Sequence, residues 1–88
     1  MAETFRKTIT GSFTCPSSGI VEVVSLEAYN QNSKCILYEG TDETGRRIFD
    51  LSTVAWDSKT SPILNVPYSG GLYCVINGTG AGLSVTVR

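Results

Sequence analysis

Apolar and polar residues alternate with a period of two along much of this chain, and the last third shows it most clearly. Leu72, Cys74 and Ile76 interleave with Tyr73, Val75 and Asn77, and Leu83, Val85 and Val87 interleave with Ser84, Thr86 and Arg88. Successive strand residues point to opposite faces, so this is the pattern of half-buried β-strands. The glycine-rich stretch between them, Asn77 to Gly82, predicts a hairpin turn, with Asn77-Gly78 as a favoured turn dipeptide.

The same reading extends upstream. Thr4 to Thr14 predicts a first strand, with Phe5, Lys7, Ile9, Gly11 and Phe13 in one phase and a bend or interruption at Gly11. Cys15-Pro16-Ser17-Ser18-Gly19 is a turn signal, followed by a long strand from Ile20 to Tyr29 that ends at Asn30-Gln31-Asn32-Ser33. Lys34 to Glu39 and Arg46 to Leu51 predict a hairpin, with Gly40 and Gly45 in the connecting loop available for positive φ. Ser52 to Trp56 reads as a short edge or connection, Asp57 to Pro62 as a loop, and Ile63 to Tyr68 as a strand whose Pro67 belongs at an edge or end. Ser69-Gly70-Gly71 then turns into the final hairpin. No helical period competes. The expected fold is all-β, an antiparallel sandwich or flattened barrel of seven or eight short strands.

Length and charge narrow the classes of function. At 88 residues the chain is expected to be one domain, with Met1 to Lys7 as a candidate N-terminal arm. With 41% hydrophobic and 17% charged residues it has the composition of a folded protein. The net charge is -1 and the pI about 5.2, so no broad positive field draws it to nucleic acid. Arg46 and Arg47 are adjacent and point to opposite faces of a strand. No apolar run reaches the roughly 18–20 residues of a membrane-spanning helix, and the start lacks a signal-peptide centre. A soluble protein made in a reducing cytoplasm is expected.

Candidate chemistry is sparse. The chain has no histidine, which removes the ordinary Ser-His-Asp and Cys-His arrangements and leaves no side chain titrating near neutral pH by default. Of three cysteines, Cys74 is in phase with Leu72 and Ile76 and reads as a small core residue. Cys15 and Cys35 could form a bridge, and spacing does not decide that. No cysteine has CxxC spacing, so no zinc site is expected. Asp42, Glu43, Asp50 and Asp57 lack the acidic alternation of an EF-hand and read as solvated positions. Asn77 to Gly82 lacks the lysine and following helix of a phosphate loop. Asn77-Gly78-Thr79 is formally a glycosylation acceptor, which matters only for a secreted chain. No catalytic residue, cofactor or metal site is expected, and the chain reads as a non-enzyme.

Aromatics remain. Tyr29, Tyr38, Trp56, Tyr68 and Tyr73 are candidates for core packing, a protein interface or a sugar-stacking surface. Trp56, beside the polar run Asp57 to Ser61, suits an interface anchor where a strand leaves the sheet. The candidate protein-contact residues are Phe5, Arg6, Lys7, Trp56 and Tyr68.

Ile36-Leu37-Tyr38-Glu39-Gly40-Thr41, Gly45 followed by Ile48, Asn65-Val66-Pro67-Tyr68, Gly71-Leu72-Tyr73, and Gly78-Thr79-Gly80-Ala81 ahead of Val85-Thr86-Val87 form a set of motifs over the C-terminal two-thirds. In these the chain resembles small β-sandwich structural proteins of tailed bacteriophages. The resemblance implies a virion component on the capsid surface: a decoration, or cement, protein that binds and stabilises the major capsid protein shell, self-associating as a trimer over junctions between capsid subunits. It implies no catalytic residue. The alternative expectation is a carbohydrate-binding β-sandwich module of a phage tail or head fibre, working through exposed Trp56 and tyrosines.

Overall fold

The structure, a computed structural model, describes residues 3–7, 11–15, 18–77 and 82–88. It is an antiparallel β-sandwich of nine strands: β1 (Glu3–Lys7), β2 (Gly11–Cys15), β3 (Ser18–Glu27), β4 (Ser33–Glu39), β5 (Arg46–Thr53), β6 (Ser58–Thr60), β7 (Val66–Ser69), β8 (Leu72–Asn77) and β9 (Gly82–Val87). One sheet runs β1-β9-β3-β6, with β7 also on β3, and the other runs β2-β8-β4-β5. The pairings nest: β1 with β9, β2 with β8, β3 with β7 and β4 with β5. A long hairpin folded over, so that successive pairs fall alternately in the two sheets, gives this order. It is the order of a jelly roll.

The alternation places the core. Val21, Val24, Leu26, Leu83 and Val85 of the first sheet and Cys35, Leu37, Leu72 and Cys74 of the second are fully buried, with Ile76 almost so. Two bulges adjust the phase. On β3 the register against β9 slips at Glu22, so Val21 and Val24, three residues apart, both point inward. On β5 it slips at Ile48, which brings both Ile48 and Phe49 against the core.

Several expectations are corrected. The segment from Thr4 to Thr14 is two strands in opposite sheets, with Ile9 outside the described residues. The last two strands do not pair: β8 and β9 belong to different sheets, so the stretch between them links the sheets, and Gly78 to Ala81 lie outside the described residues. Periodicity shows which way a side chain faces and is silent on which strand lies alongside, so it cannot separate a hairpin from a crossing. Residues 3–7 are not an arm but an edge strand on β9, with Phe5 opposite Val85 and packed against the core. The expected loop at Asp57–Pro62 contains β6, held to β3 by the pairs Ser25–Thr60, Leu26–Lys59 and Glu27–Ser58. Of the expected strand Ile63–Tyr68, only the part from Val66 is strand, with Pro67 on the sheet edge as anticipated.

The thiols and the turns complete the frame. All three cysteines are free and buried. β8 lies between β2 and β4, so Cys15 meets Cys74 and not Cys35. A hydrogen bond from Cys74 holds the Cys15 thiol below its ordinary range, the same contact and burial push Cys74 up, and burial pushes Cys35 up to about 12. Gly40 and Gly71 have φ of 125° and 105°, and a Cβ on Gly71 would lie 2.8 Å from the Gly40 carbonyl oxygen. At Gly45 the constraint is space: a Cβ there would collide with the Glu39 carbonyl.

Deleting residues 1–7 strips β1 from β9 and uncovers part of the core, and is expected to cost about 3 kcal/mol or more in a urea unfolding curve. A truncated domain with an unchanged midpoint would contradict the role of β1 as a structural strand. Glu39 accepts from the Ser69 N–H at 2.9 Å and from Arg46 Nε at 3.1 Å, which holds its carboxyl below the ordinary 4.5. Its support for folding is therefore complete above about pH 4.5 and is lost as the pH falls through the lowered native value. Glu39→Gln is expected to flatten that part of the stability profile, read from melting temperature against pH.

Candidate functional site

Strand direction gives the sandwich two unlike ends. One carries the chain ends, since Glu3 faces Val87 and Ile20 and Arg88 exchange backbone hydrogen bonds of 2.8 and 3.0 Å, together with the turns at 40–45 and 70–71. The other carries the connections 28–32 and 54–57, beside the start of β9 and the end of β8.

The second end is where exposed aromatic surface collects. Val54 to Asp57 is a turn closed by the Asp57 N–H on the Val54 carbonyl at 3.2 Å. Its third residue, Trp56, has φ of 62°, at a position where turns needing positive φ usually take Gly or Asn. For a side chain this large the left-handed backbone costs about 1–2 kcal/mol, yet the indole is 78% exposed. The cost is not recovered in the core. Three hydrogen bonds fix the turn against its neighbour: Trp56 N–H to the Tyr29 carbonyl at 2.7 Å, Ala28 N–H to the Asp57 carbonyl at 2.9 Å, and Ala55 N–H to Asn32 Oδ1 at 3.0 Å. The Tyr29 hydroxyl donates to Glu27 at 3.1 Å, Glu27 is paired with Arg6 at 3.0 Å, and Arg6 donates to the Ser84 hydroxyl at 2.6 Å. A relay across three strands thus sets the aromatic corner.

Two open clefts meet there, sharing Asp57. One, of about 470 Å³, lies among Glu27, Tyr29, Trp56 and Ser58. The other, of about 680 Å³, lies among Ser33, Lys34, Thr53, Val54, Lys59 and Asn77. Thr53 is 4% exposed, and its hydroxyl finds no partner among the described residues. Lys59 stands opposite Leu26 on the inward-looking side of β6, but remains exposed because that strand ends at the mouth of the sandwich. Neither Lys34 nor Lys59 is in an ion pair among the described residues.

The sequence-predicted contact residues are not brought together. Trp56 is exposed as expected, and Arg6 reaches the corner only through Glu27 and Tyr29. Phe5 is half-buried and Lys7 lies on β1 opposite Leu83. Tyr68 is a correction: it is 4% exposed on β7, part of the core, so it offers no surface to a partner. Its hydroxyl is also unpartnered among the described residues, and burial raises its pKa. Tyr38 and Tyr73 form a half-buried pair with centroids 6.4 Å apart. Lys34, Thr53 and Lys59 were missed. Each looks ordinary in its own strand, and only the folding-over of the hairpin makes them neighbours.

Asp42 is occupied locally by the Thr44 N–H and hydroxyl, which hold its carboxyl below the ordinary range. Among the described residues no group of three or more His, Cys, Asp or Glu is assembled for a metal ion.

The fold and site define a jelly-roll domain with a loop-borne aromatic corner. No family model matches the chain, and no curated protein does. Among solved structures it is similar to the crystal structure of PirA, with a TM-score of 0.55 and 11% identity over 98% of this chain and 91% of that one. At that identity the likeness shows the fold alone. A second match, to the structure of the infectious bursal disease virus Gx strain, has a TM-score of 0.33 and 11% identity, and covers 99% of this chain but 32% of that one. It carries no argument about this chain.

Trp56→Gly removes the left-handed strain and little packing, and is expected to raise stability by about 1 kcal/mol by circular dichroism in urea. A loss of similar size would show that the indole is anchored by packing instead of held in strain.

Proposed function

We propose that this protein is a non-enzymatic virion structural protein, a capsid decoration protein of the tailed-bacteriophage type, which attaches as a homotrimer to the major capsid protein and stabilises the shell. The motif resemblance supports that reading, and so does the jelly-roll order, an architecture used by capsid proteins as well as lectins. Fold alone does not choose between those uses. The observation that carries the reading furthest is the separation of the two ends: chain termini and tight turns at one, open clefts and Trp56 at the other. A cement protein needs one end against the shell and one toward solvent. The end with the turns at 40–45 and 70–71, where Asp42, Glu43 and Arg46 are exposed, is the one this reading sets against the shell. Modest contacts repeated by three-fold symmetry would then hold through avidity.

The test is occupancy on particles. A folded domain fused after Arg88 is expected to abolish attachment, while Trp56→Ala leaves it unchanged. The reverse result would put the clefts against the shell. Light scattering over a concentration series is expected to give a trimer mass, and a monomer at every concentration would remove preassembly.

A further inference from the structure

The decoration reading assigns the two clefts no ligand, and the residues around them share one kind of chemistry. A sugar ring has an apolar C–H face and a rim of hydroxyls, and is held by an aromatic platform beside a few fixed polar groups. Trp56 supplies the platform, held outward at an energetic cost, with Tyr29 oriented beside it by Glu27. The adjoining cleft supplies the polar groups. Ser33 and Thr53 face each other across β4 and β5 and form its floor. Ser52 and Asn77 flank Lys34 in the register on its two sides. Asp57 lies where the clefts join: its Oδ1 accepts the Ser58 N–H at 2.8 Å, leaving its second oxygen for a hydroxyl donor.

Charge selects the class of sugar. Lys34 and Lys59, both exposed and neither ion-paired among the described residues, line the larger cleft, in a chain whose net charge is -1. A local pair of free ammonium groups in an otherwise acidic protein fits a carboxylate on the ligand. A polyphosphate backbone fits poorly, because Glu27 and Asp57 line the side that its next charges would reach.

We propose that the loop end is a binding site for an acidic saccharide, with one ring stacked on Trp56 and the carboxylate of the next ring held by Lys34 and Lys59 in the cleft that Thr53 lines. The site goes beyond shell attachment and would give a particle-bound copy an outward-facing adhesive surface.

Trp56 is the chain's only tryptophan, so its fluorescence reports directly on the platform. The full chain is titrated with trigalacturonate and sialyllactose, and with α-1,4-linked galactotriose and lactose as their neutral counterparts. The expected result is a saturable emission change with at least one acidic sugar, about ten-fold weaker or more with its neutral counterpart and in Lys34→Gln/Lys59→Gln. By calorimetry Trp56→Ala is expected to lose binding. Saturation by one acidic series alone identifies the carboxylated ring as uronate or sialate.

No saturable change with either acidic sugar up to about 10 mM would overturn the proposal. Equal binding of the neutral sugars would overturn it too, as would an equal response to inorganic phosphate alone. Particle occupancy is a separate readout, so failure here leaves the decoration reading standing, and loss of occupancy leaves this one standing.

Discussion

Everything at the loop end is supported by one strip of apolar side chains, where Val24, Leu26, Leu83 and Val85 on one sheet meet Cys35, Leu37, Cys74 and Ile76 on the other. The strands that carry it, β3, β9, β4 and β8, are the inner members of their sheets. An 88-residue domain has room for little more core than this. The edge strands β1, β2, β5, β6 and β7 are secured by pairing with those inner strands and by the few side chains they contribute, among them Phe5, Phe13, Phe49 and Tyr68. Three cysteines in the interior fit the same limit, each a small side chain where two sheets come close.

Trp56 illustrates how a rigid scaffold can hold an unfavourable surface. Its left-handed backbone is disfavoured, and the exposed indole does little packing to offset it. The turn persists because hydrogen bonds from 28–32 and from Asn32 over-determine it, and because the Arg6–Glu27–Tyr29 relay ties that neighbour to β1 and β9. Local strain held by distributed support is a recurrent property of binding surfaces. Arg6, expected to meet a partner directly, contributes from behind.

The strand content was legible because alternation survives in β8 and β9, whose inward residues match the expected phase. Fold class and the burial of Cys74 followed from that. What was not legible depends on long-range pairing. Nothing in Leu83-Ser84-Val85 states that its partners are β1 and β3 and not the strand just before it. β6 escaped notice because Ser58, Lys59 and Thr60 are polar on both faces, and a three-residue strand at the sheet mouth needs no apolar side. The aromatic half of the candidate site was visible as Trp56 in a polar run. The cationic half was not, because Lys34 and Lys59 are 25 positions apart and converge only through the jelly-roll order.

The divided edge of the first sheet also bears on how copies of the chain can meet. Between Thr60 and Val66 that edge spends six residues where β3 spends four, from Ser25 to Val21, and Asn65 turns through φ of 52° on the way. With Pro67 lacking an N–H, this side offers no continuous row of donors and acceptors to an incoming strand. Among the described residues, only β1 remains as a regular free edge in that sheet. Strand addition there ends after a single partner, so the first sheet can support a closed pair but cannot grow into a fibre.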